Sequence, residues 1–214
     1  MAQPETEITQ YLEEDGHRIW GYVIYRCSYG SQSDWDMVIN LLRDQLREGL
    51  TLINDLKRLE DCKFTIIDNK TELDGAPTAF VREKFKQWCI DAPQREQGQG
   101  KSPGRSLRYH YCIYLDDECI DSIKHNSMLT GRAERDNRGF VKLIDKGWED
   151  YTDDLDVAAG EVENYPPIEG CVLEDIGWMR VDWRQVLTHM AMYLRDTSSW
   201  GREYRRPPWV VNCC

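Results

Sequence analysis

The sequence predicts an α+β domain, and three observations carry that expectation. Short runs of aromatic and branched apolar residues alternate with longer stretches in which apolar residues recur at helical spacing. One run, Ile19 to Cys27, is nearly continuous in apolar and aromatic residues, as a central strand buried on both faces would be. The order of the elements then reads strand, helix, strand, strand, helix, strand, provided that one helix is set aside.

Residues 1–17 are polar and read as a poorly ordered N-terminal segment. A single domain is expected over 18–200, with 201–214 an extended tail. After the strand at 19–27, Ser31 to Asp34 offer helix caps. Trp35, Val38, Ile39, Leu42 and Leu46 follow at helical spacing, and Leu50, Ile53 and Leu56 extend the face after a break near Gly49. Lys63 to Ile67 is a second strand, ending at Asp68-Asn69. Asp74-Gly75 marks a turn, and Pro77 opens a helix through about Ile90. Residues 91–106 are too polar to bury and read as a flexible loop.

Arg108 to Leu115 is an aromatic-rich strand followed at once by Asp116-Asp117-Glu118, and Cys119, Ile120 and Ile123 then switch to helical spacing. A loop at 130–137 leads to a short strand, Phe140 to Ile144. Residues 145–170 are acidic and irregular. Ile176 to Val181 reads as a strand, and Trp183, Val186, Leu187, Met190 and Leu194 as a last helix. With helix 77–90 treated as an insertion, this is the split βαβ core of ferredoxin-like folds with a C-terminal strand-helix extension. The alternative is a parallel doubly wound sheet that uses helix 77–90 as a crossover.

Composition narrows the function classes. The 214 residues are 41% hydrophobic and 30% charged, which suits a globular chain. No stretch approaches the roughly 20 apolar residues of a membrane span, and the N-terminus lacks a secretory pattern, so a soluble cytoplasmic protein with no membrane partner is expected. The eight cysteines include no Cys-x-x-Cys pair, so reduced thiols are expected and a zinc site is not. No cofactor signature is present, and the four histidines are too dispersed for a ligand set. The net charge of −11 is concentrated: residues 143–182 hold twelve acids against two bases, which leaves the rest almost neutral. A polyanion could still dock on a basic face away from that segment.

Three groups of residues are candidates for chemistry. Asp116, Asp117 and Glu118 stand where a strand ends and a helix begins, a common place for ligands, although an acid there also simply caps the helix. Lys101, Arg105 and Arg108, then Arg132, Arg135 and Arg138, then Arg202, Arg205 and Arg206 form basic clusters near tyrosines and Trp209; they suit phosphates and single-stranded bases, or serve as ordinary solubilising charge. Glu174-Asp175 beside Trp178 suit a guanidinium held by paired hydrogen bonds and stacking, or form a solvated acidic loop. Cys213-Cys214 does not match a prenylation box.

Several phrases together resemble a family of small fungal proteins: Ile19 to Cys27, Leu73-Asp74-Gly75-Ala76, Arg108 to Glu118, Gly170-Cys171 through Gly177-Trp178-Met179, and Arg205-Arg206-Pro207-Pro208. The resemblance runs over residues 18–211, and the family is identified as the one that includes the arginine-containing cyclodipeptide synthases. No single phrase is a mechanistic motif. The resemblance implies an enzyme that joins arginine and a second amino acid from two aminoacyl-tRNAs into a diketopiperazine. On charge and position, Glu174, Asp175 and Trp178 are the candidates to hold the guanidinium, Asp116 or Glu118 to act as base, and Arg105, Arg108, Arg205 and Arg206 to contact RNA. The competing expectation is a non-enzymatic interaction module whose acidic segment binds a basic partner.

Overall fold

The computed structural model describes residues 6–128, 138–150, 165–195 and 198–212. Arg132, Arg135, Cys213, Cys214 and most of the acidic stretch at 145–170 lie outside the described residues. Six strands form one mixed sheet in the order β2-β1-β3-β4-β5-β6. They are β1 (Val23–Arg26), β2 (Thr65–Ile67), β3 (Tyr111–Leu115), β4 (Phe140–Asp145), β5 (Trp178–Asp182) and β6 (Val210–Val211). The expected α+β combination of helices and strands is what is found, and the sheet is mixed.

The split βαβ detail is corrected. In that arrangement another strand separates β1 from β2. Here β1 pairs directly in parallel with β2 (Ile24 opposite Ile66) and, on its other side, with β3 (Ile24 opposite Ile113). The helix set aside as an insertion, α4 (Thr78–Cys89), is the crossover that returns the chain from β2 to β3. β3, β4 and β5 then pair antiparallel in sequence, and β6 adds in parallel to β5. The chain is thus doubly wound on one side and meandering on the other.

The pleat divides the core into two layers. Ile24, Ile113, Leu115, Val141, Leu143, Met179 and Val181 face α2 (Gln32–Leu52) and α6 (Asp117–Ser127). Val23, Tyr25, Cys112, Tyr114, Ile144 and Trp178 face α4 and the loop through Cys171 and Ile176. Alternate side chains of a strand point to opposite faces, so both faces are covered. The helices α2 and α4 lie on opposite faces, as same-handed crossovers require when the chain steps from β1 to β2 and back past β1 to β3.

Four further expectations change. The polar N-terminal segment is a helix, α1 (Glu7–Asp15), capped by Thr6, and it buries Ile8 and Leu12 in the core. α2 runs unbroken through Gly49; the glycine lets Thr188 approach, because a β-carbon there would meet Thr188 Cγ2 at 2.6 Å. At the C-terminus, α7 (His189–Tyr193) is shorter than the spacing predicts, and the tail holds a helix, α8 (Ser199–Glu203), before β6 joins the sheet. The stretch 91–106, expected as a loop too polar to bury, also changes: it opens with a short helix, α5 (Ala92–Gln97), that buries Ala92, Pro93, Glu96 and Gln97, and another, α3 (Lys70–Leu73), precedes α4.

Candidate functional site

At the carboxyl ends of β1, β2 and β3 the chain turns into helices or loops, and charged residues collect there. Asp116 follows β3 and divides its carboxylate between two tasks. Oδ1 accepts the backbone N–H of Cys119 at 3.0 Å and caps α6, while Oδ2 accepts Lys142 Nζ at 2.6 Å. The capping reading of this residue therefore holds, and its second oxygen is left to a buried cation. Lys142 comes from the middle of β4, opposite Tyr114 and Arg180 in register, and its side chain is only 8% exposed. Its ammonium also meets Glu118 Oε2 at 2.9 Å and lies 5.5 Å and 5.1 Å from the centres of the Tyr114 and Trp178 rings. Glu118 is in turn bonded by Arg180, whose guanidinium stacks on Phe140.

Burial opposes the Lys142 ammonium, but Cys119, Asp116 and Glu118 outweigh burial and raise its pKa. The lysine is a fixed cation and not a base. The half-exposed Glu118 is the carboxylate that solvent or a ligand can reach. The network continues along the sheet. Ser28, buried in the loop after β1, donates to Asp117 Oδ1 at 2.5 Å, and Arg26, stacked between Tyr29 and Trp35, pairs with Asp68 at 3.2 Å. The thiols beside it are quiet: burial pushes Cys27 up to about 12 and Cys119 well above the ordinary range.

The other predicted site residues separate. Asp175 is committed to its own fold: Oδ1 accepts Gly177 N–H at 2.7 Å and Oδ2 accepts Trp200 Nε1 at 2.7 Å. Glu174 keeps an exposed side chain. Trp178 is buried, with its ring against the Lys142 ammonium. The three do not form a guanidinium pocket. Arg108 is fully buried in a bidentate pair with Glu96, at 2.7 Å and 2.8 Å, and so offers no face to RNA. The guanidinium of Arg206 lies over Tyr165 and bonds the carbonyls of Pro166, Cys171, Leu173 and Glu174, which makes it a clamp for that loop.

Arg105 and Arg205 are exposed, but at different places. Arg105 lies near Trp20 and Tyr22, before β1, at the opposite end of the sheet from Asp116. Arg205 lines a cleft of about 500 Å³ with Arg138 and Trp209 along the β6 edge. Arg138 precedes β4, which runs antiparallel to β3, so this cleft shares the end of the sheet that carries Asp116. Arg180 Nη1 reaches Pro208 O at 3.4 Å and links the two.

Sequence reasoning missed Lys142, Arg180, Ser28 and Arg26. One signal was present: a lysine inside the apolar run Phe140 to Ile144 needs a buried partner. Among the described residues no group of three or more His, Cys, Asp or Glu could hold a metal ion, and no helix is long and apolar enough to cross a membrane. Comparison with protein-family models, with curated proteins and with solved structures gives no match.

Proposed function

We propose that this chain is a cytosolic, tRNA-dependent cyclodipeptide synthase that joins arginine and a second amino acid, and that its reaction takes place at the carboxyl end of the sheet. The observation that carries the reading is the cluster of Asp116, Lys142, Glu118 and Arg180. It offers what aminolysis of an ester demands. The attacking amine must lose a proton, and Glu118, reachable from solvent and oriented by two cations, accepts it. The tetrahedral oxyanion needs a positive group fixed beforehand. Lys142 has three N–H donors; two serve Asp116 and Glu118, which leaves a third for the oxyanion.

The same pair of steps serves twice, first for the peptide bond and then for ring closure, when the free amine of the dipeptidyl ester attacks its own ester carbonyl and the tRNA hydroxyl departs. The cleft of Arg138, Arg205 and Trp209 suits the single-stranded end of a tRNA, through phosphate pairing and base stacking. Support for arginine as one substrate is the resemblance stated above. Of the two acids assigned to its side chain, only Glu174 is left available.

The test is mass spectrometry on a bacterial host expressing the chain with isotope-labelled arginine. A cyclic dipeptide carrying the label is expected, and it should vanish with Glu118→Gln while the melting temperature holds. Abundant folded protein that yields no such product would sink the proposal.

A further inference from the structure

Along the β6 edge, the cleft of about 500 Å³ has the size of a small-molecule site. Four of its side chains lack the contacts that their chemistry calls for. Trp209 is 68% exposed, whereas the other seven tryptophans are buried or partly buried. Arg138 and Arg205 also line the cleft, and neither is in an ion pair among the described residues. Arg205 gives Nη1 to the carbonyls of Arg202 and Tyr204, which leaves its charge for an anion. The fourth is Asn212, whose Oδ1 is buried and has no hydrogen-bond partner among the described residues.

Each of these groups suits a different part of one molecule. An exposed aromatic plane takes a base by stacking, and guanidiniums beside it take a phosphate. Buried polar atoms are ordinarily hydrogen-bonded, so Asn212 Oδ1 calls for an N–H donor. The edge of adenine supplies one: its exocyclic amine donates to Oδ1 while its ring nitrogen accepts from the Asn212 amide N–H. Guanine turns two acceptors to the same place and leaves Oδ1 unpaired. Glu203, in the same cleft, offers an acceptor to a ribose hydroxyl.

We propose that this cleft takes an adenosine monophosphate unit, with Trp209 under the base, Asn212 on its amine, Glu203 on the ribose, and Arg138 and Arg205 on the phosphate. The site rests on the reading given above, in which the cleft seats an RNA end, and Asn212 adds the choice of base. The unit comes from the terminus of an RNA or from a free nucleotide.

Isothermal titration of the full chain with AMP, GMP and UMP, and with RNA trinucleotides ending in adenosine or in uridine, tests it. Saturable binding of AMP is expected, at least about tenfold tighter than that of GMP or UMP. Trp209→Ala should weaken AMP at least about fivefold. Asn212→Ala should remove the preference for AMP and leave GMP binding unchanged. An adenosine-ended trinucleotide that binds at least about tenfold tighter than AMP names RNA as the source, and equal binding of the two names the free nucleotide. No saturable binding of AMP or of that trinucleotide would overturn the proposal. So would GMP or UMP binding as tightly as AMP, or AMP binding unchanged in Trp209→Ala. Should Asn212→Ala fail to fold, Trp209→Ala, at an exposed side chain, decides. The labelled-arginine assay separates the site from the reaction. AMP binding without a cyclic dipeptide keeps the site and sinks the reaction, and product without nucleotide binding does the reverse.

Discussion

Replacing Arg108 by methionine separates a core residue from an RNA contact. The side chain is 0% exposed and that of Glu96 is 7% exposed. Besides the two bonds to Glu96, Arg108 donates to Lys63 O at 2.8 Å and to Thr65 Oγ1 at 2.5 Å, and it lies over Trp88. Methionine keeps much of the volume but strands the Glu96 carboxylate. Removing one partner of a buried pair costs about 3–5 kcal/mol. Lys63, half exposed at 3.3 Å from Glu96, offsets part of this, so the lower end applies. For a chain of this size about 3 kcal/mol is a fall of roughly 6–12 °C in melting temperature.

The pH dependence has a definite sign. Burial alone raises the Glu96 carboxyl, but Arg108 and Lys63 outweigh it and hold its pKa below the ordinary 4.5. That stabilisation is present above pH 4.5 and is lost as pH falls through the folded value. The deficit of Arg108→Met is therefore full at neutral pH and shrinks in acid. Thermal melts across pH, with Arg108→Met/Glu96→Met as the partner variant, read this directly. The double variant should recover much of the loss, because no buried charge remains unpaired. A fall under about 2 °C, together with weakened tRNA binding, would refute the reasoning.

Three other outcomes are expected. Glu118→Gln should lower product formation about 10²–10⁴-fold while changing stability by less than about 1 kcal/mol, because the residue is half exposed; mass spectrometry and melting curves check the pair of effects. Burial raises the Asp182 carboxyl, so its ionisation opposes folding: its contribution is full below pH 3.8 and is lost as pH rises through the folded value. Asp182→Asn, which keeps an acceptor for Arg184 N–H, should then melt higher than the parent at neutral pH and equally at about pH 3.5. Gly21 has φ +99° and a β-carbon there would meet Lys63 O at 2.7 Å, so Gly21→Ala should cost about 1–3 kcal/mol in a denaturant titration.

Much of the fold was legible because single elements carry their own pattern. Trp35, Val38, Ile39, Leu42, Leu46 and Leu50 are the six buried residues of α2, as their spacing predicts. The neighbours of a strand are not written that way. All four residues of β1 are buried, which marks a central strand but is silent on which strands flank it, so α4 could pass for an insertion. α1 hid among polar residues because only Ile8 and Leu12 supply its large apolar contacts. At the site, Asp116 was legible from its place after a strand. Its partner Lys142 lies 26 positions away and Arg180 lies 62 from Glu118, distances that only strand pairing brings together.

The arginines show the same limit and lead to a last prediction. Arg26, Arg82, Arg108 and Arg195 are all buried, and each stacks on an aromatic ring. A count of basic residues therefore overstates what RNA can touch. Each phosphate contact to a single strand adds about −0.7 to the slope of log K against log salt. Arg138→Gln/Arg205→Gln should accordingly make the slope for aminoacyl-tRNA shallower by about 1.4 and weaken binding at low salt. Arg206→Gln should leave the slope unchanged and instead loosen the loop at 165–174, because its guanidinium is spent on four carbonyls. Equal effects of the two variants on the slope would mean that the clamp is a phosphate contact and that the approach of RNA has been placed on the wrong edge of the sheet.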